Sequence, residues 1–83
     1  MFYVYIIYSI KTDRYYTGYC SDIETRIVKH NLGATASTRS GIPWKLVYFE
    51  TFENKADAIR RELEIKRKKS RKYIEYLVST LEG

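Results

Sequence analysis

The residues of this sequence best suited to chemistry are an arginine–histidine pair, a glutamate beside an apolar stripe, and several tyrosines. Arg26 and His30 are four residues apart, so both would project from one face of a helix. Glu62 follows Ile59 by three residues on a later helical segment, where burying an unpaired carboxylate would be costly. Either an ion pair with Lys66, four residues further on, or a hard cation such as Mg²⁺ would compensate its charge.

These residue types suit the hydrolysis of a phosphodiester bond. An arginine holds phosphate oxygens through its fixed fork of donors, and Mg²⁺ stabilises the leaving oxygen. Either a histidine or a tyrosine with a perturbed pKa could take the proton from the attacking water. Each residue also has an ordinary alternative, because strand tyrosines usually pack their rings, and Arg26 with His30 could lie on a solvated helix face. The residue types and their spacing therefore permit a nuclease without selecting one.

The net charge of +5 is concentrated in one segment. Residues 60–72 contain only two acidic residues and eight basic ones, which are Arg60, Arg61, Lys66, Arg67, Lys68, Lys69, Arg71 and Lys72. This pattern is typical of proteins that bind a polyanion, although a solvated helix surface has a similar composition. No apolar helix face lies opposite these bases, which argues against a membrane-surface role.

Length and composition restrict the class of protein further. Eighty-three residues predict one domain, and a hydrophobic fraction of 45% is far above that of disordered chains. With only one cysteine, Cys20, and one histidine, an internal disulfide and a structural zinc site are both excluded. The longest apolar run, residues 1–8, is too short to span a membrane and lacks the features of a signal peptide. We therefore expect a soluble, cytoplasmic protein.

Alternation and β-branched content predict three strands. Residues 2–10 and 15–19, separated by a polar turn, form a β-hairpin. Gly18 within the second strand predicts a bulge or the close approach of another backbone. Residues 44–52 form the third strand, with one face carrying Trp44, Leu46 and Tyr48 and the other Val47 and Phe49.

A capping box and a left-handed stop predict the first helix. Ser21 and Glu24 have the spacing in which each side chain binds the other's backbone amide, and Gly33 follows the expected end near Asn31. Ile23 and Ile27 form the apolar stripe of this helix. Residues 32–42 are small and polar, which predicts a surface loop.

Two further helices are predicted after the third strand. Asn54 is a suitable N-cap for a helix that continues to about Lys69, with Ile59 and Leu63 as its core stripe. Ser70 would cap the last helix, whose apolar face carries Tyr73, Leu77 and Leu81. The order β-β-α-β-α-α predicts an α+β domain in which helices pack against a small antiparallel sheet.

The arrangement resembles the GIY-YIG nuclease family, in particular its small single-domain members, over nearly the whole chain. Tyr3-Val4-Tyr5 is similar to the GIY element, and Tyr16-Thr17-Gly18 is similar to the YIG element. The family's Arg-x-x-x-His helix corresponds to residues 22–31. Further similar segments follow in the same order at Thr38-Arg39, at Pro43 to Tyr48 and at Ala58 to Lys66. A single Tyr-x-Gly would carry little information, whereas six elements in order carry much.

The resemblance implies a three-stranded antiparallel sheet flanked by helices and the activity of a Mg²⁺-dependent endonuclease, with Mn²⁺ as a possible substitute. It implies that Tyr5 and Tyr16 flank the scissile phosphate and that one of them positions or deprotonates the water. Arg26 would hold the phosphate, and His30 would assist the proton transfer or orient a tyrosine. Glu62 would bind the single metal ion.

The expected partner is nucleic acid, with DNA favoured over RNA, little sequence specificity and a role in DNA repair. Arg39 and the eight basic residues of the 60–72 segment would contact it, and no obligate protein partner is evident. Two alternatives remain: a catalytically weak nucleic-acid-binding module of the same fold, and a basic adaptor that docks a protein or ribosomal partner. Neither explains why the five candidate catalytic residues occur together.

Overall fold

A computed structural model describes residues 1–82 as three strands, three α-helices and a short 3₁₀ helix. In chain order these are β1 (Phe2–Ser9), β2 (Arg14–Cys20), α1 (Ile23–Asn31), the 3₁₀ helix (Ala36–Gly41), β3 (Trp44–Phe52), α2 (Lys55–Lys68) and α3 (Arg71–Glu82). The strands form one antiparallel sheet in the order β2-β1-β3. The α+β class and the three-stranded sheet with flanking helices are thus confirmed.

The central strand β1 is buried on both faces, as its run of Val, Ile and Tyr predicts. On one face its residues pack with Cys20, Trp44 and the apolar stripe of α1, which is Ile23 and Ile27. On the other face Val4 and Ile6 pack with residues of α2 and α3. Helices therefore cover both sides of a sheet whose two edge strands stay accessible.

The predicted alternation along β3 is wrong after Leu46. Ile6 pairs with Tyr48 but the next residue, Ile7, pairs with Leu46, so Val47 is an extra residue in the ladder. Such a bulge reverses the alternation of side chains beyond it. Trp44 and Leu46 consequently contact the α1 side of the sheet, whereas Val47 and Tyr48 contact the α2 side.

The helix ends are mostly as expected, with one different cap. The N-cap of α1 is Asp22 rather than Ser21, because the Asp22 carboxylate accepts hydrogen bonds from both the backbone N and the hydroxyl of Thr25, at 3.1 and 2.9 Å. The expected cap of α2 is confirmed, since the Asn54 side chain accepts from the backbone N of Asp57. The Ser70 hydroxyl likewise accepts from the backbone N of Tyr73 at 3.1 Å.

The segment expected to be a loop contains the 3₁₀ helix, which has one side against the domain. Thr38 and Gly41 of this helix are buried. A Cβ atom on Gly41 would lie 2.4 Å from the Trp44 ring, so the helix packs directly on that tryptophan. No helix within residues 1–82 is long and apolar enough to cross a membrane.

The core stripe predicted for α2 is wrong. Ala58 and Ile65 are its buried residues, whereas Leu63 is 41% exposed and Ile59 only half-buried. The position between the two buried residues is taken by Arg61, whose guanidinium binds Glu50 of β3. Because the charged residue Arg61 stands in the middle of the buried stripe, the hydrophobic periodicity of α2 could not be recognised from the sequence. In α3, Leu77 and Val78 are buried, but the expected Leu81 is exposed.

We predict that Ile65→Ala lowers the free energy of unfolding by about 2–5 kcal/mol, because it leaves a cavity between α2 and the sheet. Leu63→Ala on the same helix removes a similar side chain from a largely exposed position and should change stability by less than about 1 kcal/mol. Denaturant unfolding of both variants checks this. Equal losses, or a larger loss for Leu63→Ala, would contradict the packing of α2.

Candidate active site

The site begins where the ring of Tyr5 crosses onto Gly18. The two residues are paired across β1 and β2. A Cβ atom at Gly18 would lie 2.5 Å from the Tyr5 hydroxyl oxygen and 2.7 Å from Cζ. The predicted bulge or close approach of another backbone at Gly18 is wrong: the pairing with β1 is regular here, and the group that approaches is the Tyr5 ring. The missing side chain lets the ring lie over the edge strand.

The hydroxyl of Tyr5 meets a buried histidine. Its oxygen lies 2.8 Å from Nε2 of His30, and Nδ1 of the same ring lies 2.8 Å from Oγ1 of Thr38. His30 is 1% exposed, so it does not lie on a solvated helix face. Trp44 supports this series of hydrogen bonds, because its indole Nε1 donates to the carbonyl oxygen of Thr38 at 2.6 Å.

Burial shifts the pKa values of both partners toward their neutral forms. Desolvation, and then the positive charge of Arg26, lowers the pKa of His30. Desolvation, and then the neighbouring Tyr16, raises the pKa of Tyr5 well above its ordinary value, while Arg26 opposes this rise. The resting pair is thus a neutral phenol and a neutral imidazole.

Tyr16 belongs to the same aromatic group. Its ring packs edge-on against the His30 ring with 5.2 Å between centroids, and it also contacts the ring of Trp44. The ammonium nitrogen of Lys66 lies 5.8 Å from the centre of the Tyr16 ring. Two tyrosines from adjacent strands therefore meet one imidazole, and a base from α2 reaches the same place.

Arg26 and Glu62 supply opposite charges to this cluster. Within the described part of the chain Arg26 forms no salt bridge, and it lines a cleft of about 300 Å³ with Cys20 and Lys55. Glu62 is close enough for its charge to raise the pKa of Tyr5. The Glu62 side chain is only 13% exposed and its Oε2 lies 3.4 Å from Nζ of Lys66, so the ion pair considered from the sequence is present.

The carboxylate of Glu62 does not belong to a preformed metal cage. Among residues 1–82 no group of three or more His, Cys, Asp or Glu side chains could hold a metal ion together. A single carboxylate is compatible with Mg²⁺, which commonly binds one or two carboxylates and completes its shell with waters and phosphate oxygens. A metal that needs several protein ligands, as zinc does in structural sites, does not match this arrangement.

The predicted nucleic-acid-binding residues fall into two groups. Half of the basic segment is paired with carboxylates: Arg60 with Asp57, Arg61 with Glu50 and Glu64, Lys66 with Glu62, and Arg71 with Asp13 and Glu75. The other half is exposed and has no carboxylate partner within the described residues: Arg67, Lys68, Lys69 and Lys72. The exposed Arg39 donates its Nε–H to the carbonyl oxygen of Gly33.

Sequence reasoning missed two features beside the tyrosines. A cleft of about 620 Å³ runs from Tyr16 to the junction of α2 and α3, and Arg14, Tyr15 and Lys69 are among the residues that line it. Arg14 stands two residues before Tyr16, a spacing that could have suggested this position. Thr38, quoted only as part of a family segment, is buried against His30, and no local pattern marks a buried threonine.

The three-stranded sheet with its flanking helices is a nuclease-type fold, as the comparison with known families shows. The sequence matches the GIY-YIG catalytic domain family over residues 1–74, and the chain belongs to the GIY-YIG family. A UPF0213 protein from Staphylococcus saprophyticus is 49% identical over 65 residues, covering 77% of this chain and 78% of that protein. One from Clostridium perfringens is 50% identical over 68 residues, covering 81% and 72% respectively.

A solved structure agrees with the fold. The solution NMR structure of a UPF0213 protein from Bacillus halodurans is 41% identical to this chain and superposes with a TM-score of 0.60. The superposition covers 96% of this chain and 85% of that one. The resemblance noted from the sequence is therefore confirmed at the level of family and fold.

We predict that Gly18→Ala destabilises the protein by about 1–3 kcal/mol, because the new methyl group displaces the Tyr5 ring from its place against β2. A double-mutant cycle by denaturant unfolding isolates this contact. In a Tyr5→Leu background the same glycine substitution should cost much less. An undiminished cost in that background would show that the tyrosine ring is not what requires glycine here.

Proposed function

We propose that this protein is a metal-dependent endonuclease that hydrolyses phosphodiester bonds in nucleic acid, with DNA as the preferred substrate. The observation that carries the proposal is the convergence of Tyr5 and Tyr16 on one buried imidazole, in the electrostatic field of Arg26 and Glu62. Core packing does not require a half-buried carboxylate at Glu62, nor an arginine at position 26 that has no carboxylate partner among residues 1–82.

The roles follow from the contacts. Arg26, which no carboxylate neutralises within the described residues, would bind the oxygens of the scissile phosphate. Tyr5 and Tyr16 would lie on either side of that phosphate and orient the attacking water. His30, hydrogen-bonded to Tyr5 and beneath the ring of Tyr16, would assist the removal of its proton.

Glu62 would hold the Mg²⁺ ion, which when bound would stabilise the negative charge on the leaving oxygen. Without the cation, Lys66 compensates the Glu62 carboxylate. The same ammonium group also lies over the Tyr16 ring. Lys66 is therefore placed to neutralise charge near the phosphate once it is no longer paired with Glu62.

The basic cleft beside Tyr16 would hold the strand next to the scissile phosphate. Arg14 and Lys69 are exposed on its walls, and Tyr15, whose ring lies against the Arg71 guanidinium, also lines it. Contacts of this kind go to phosphates and ring faces, so they carry little sequence information. This supports cleavage with little sequence specificity.

We predict that purified protein nicks supercoiled plasmid with Mg²⁺ and stops with a chelator, and that Glu62→Gln lowers turnover roughly a hundredfold while DNA binding persists, because a few kcal/mol of charge stabilisation are lost. Glu53→Gln is the matched control, since Glu53 is an exposed glutamate that forms no salt bridge within the described residues.

Binding without cleavage of plasmid, branched DNA, single strands or RNA would favour the alternative of a nucleic-acid-binding module. Equal activity of Glu62→Gln and Glu53→Gln would remove Glu62 from the metal site. Loss of activity in both variants would point to a general effect of acidic charge instead of a metal ligand.

We predict that Arg14→Gln and Lys69→Gln each weaken DNA binding several-fold. Each should also reduce the slope of log K against log salt by about one, as the loss of one phosphate contact would. Arg60→Gln should have a smaller effect, because Arg60 is paired with Asp57 and lies outside the cleft. Fluorescence anisotropy at several salt concentrations gives both quantities. An equal loss in all three variants would show that the whole basic surface, rather than the cleft, determines binding.

A further inference from the structure

The hydroxyl of Thr38 contacts one ring nitrogen of His30. This hydroxyl is fully buried and has a single proton, which it donates to the backbone carbonyl oxygen of Thr35 at 3.2 Å. Its oxygen is therefore left to accept a hydrogen bond from Nδ1 of His30, which lies 2.8 Å away. This arrangement favours the neutral imidazole with its proton on Nδ1 and a lone pair on Nε2.

Tyr5, at the other end of this series of hydrogen bonds, favours the same tautomer. Tyr5 is almost completely buried, and His30 is its one hydrogen-bond partner through the hydroxyl within the described residues. If Nε2 carried a proton, it would donate to the Tyr5 oxygen, and the Tyr5 hydroxyl proton would have no acceptor. A buried donor without a partner costs about 1–3 kcal/mol. Tyr5 accordingly donates to Nε2.

We propose that Thr38 is a positioning residue that holds His30 in the Nδ1–H tautomer, so that Nε2 is the terminal acceptor of a proton relayed through Tyr5. The catalytic part of this proposal rests on the function proposed above, whereas the tautomer does not. Thr38 contacts Nδ1 of His30, the ring nitrogen opposite the one that faces Tyr5, so its effect on the reaction acts through His30.

The proton balance of the relay is simple. As the attacking water gives a proton to the Tyr5 oxygen, the hydroxyl proton of Tyr5 moves to Nε2 of His30. The imidazolium that forms has two N–H groups, and both already have acceptors, the Tyr5 oxygen and Oγ1 of Thr38. Tyr5 remains a neutral phenol throughout, and the proton is finally held by a group suited to neutral pH.

The surroundings of the pair favour a relay over a free phenolate. Desolvation, then Tyr16, raises the pKa of Tyr5, and the charges of Cys20 and Glu62 act in the same direction against Arg26. Desolvation and Arg26 lower the pKa of His30, and Tyr16 is the other titratable group against its ring. A Tyr5 phenolate at neutral pH is therefore strongly disfavoured, whereas a His30 lone pair is fully available.

The tautomer can be measured directly, because His30 is the single histidine of the sequence. Imidazole ¹⁵N labelling gives one spin system, in which the protonated and unprotonated nitrogens have different shifts and proton couplings. We expect Nδ1–H in wild type and in Thr38→Ser, and a shift toward Nε2–H in Thr38→Val. An Nε2–H tautomer in wild type, or an unchanged tautomer in Thr38→Val, would overturn the proposal, and the wild-type result decides even if the valine variant does not fold.

The pH profile of cleavage tests the relay. If His30 is the terminal acceptor, kcat rises with pH only up to its lowered pKa, below about 6.5, and is level from there to about pH 9. A phenolate base would instead give a rate that still rises above pH 9. We expect kcat to fall about tenfold or more in Thr38→Val with KM unchanged, and Thr38→Ser to restore it.

The outcomes separate this inference from the proposed function. If no nucleic acid is cleaved but the Nδ1–H tautomer depends on Thr38, the nuclease proposal fails and the positioning by Thr38 stands. If cleavage occurs and kcat of Thr38→Val equals that of wild type, the relay fails and the nuclease proposal stands.

Discussion

The contact of the Tyr5 ring with Gly18 is the constraint on which the rest of the site depends. β1 is the central strand, and its side chains would ordinarily stay inside the core. Because Gly18 has no side chain, the ring can extend across β2 toward the edge of the sheet. Its hydroxyl there meets His30, whose other nitrogen meets Thr38. One missing Cβ thus allows a side chain of the central strand to reach across β2 and join the buried hydrogen bonds of His30.

α2 has to serve the core and the site at once. Ala58 and Ile65 pack against the sheet, while Glu62 and Lys66 turn toward β2 and its tyrosines. Between these positions Arg61 binds Glu50 and Glu64 and also donates to the hydroxyl of Tyr73. Burial raises the pKa of Glu50, but its hydrogen bonds with Arg61 and Tyr48 outweigh that effect and lower the pKa below its ordinary value. This network holds α2 in one rotation about its helix axis and thereby sets the direction of the Glu62 carboxylate.

The sequence predicted what is decided locally and missed what is decided by distant contacts. The strands, the Asn54 cap and the family motifs depend on neighbouring residues, and they were found. The burial of His30 depends on Thr38, eight residues away in an unpatterned segment, and on Tyr5 from another strand. The bulge at Val47 depends on the partner strand. The family motif predicts the functional roles of the five candidate catalytic residues, whereas their spacing alone does not decide between these roles and ordinary packing. These residues are Tyr5, Tyr16, Arg26, His30 and Glu62.

Arg71 joins α3 to the turn between β1 and β2. Its guanidinium donates to the carbonyl oxygen and a carboxylate oxygen of Asp13, at 2.8 and 2.7 Å, across 58 residues of sequence. Closing so long a loop is entropically costly and comes late in folding. During synthesis the hairpin leaves the ribosome long before α3, so one wall of the basic cleft exists well ahead of the other. The nascent chain thus acquires its tyrosines first, and the second wall of the cleft only after α3 has been synthesised.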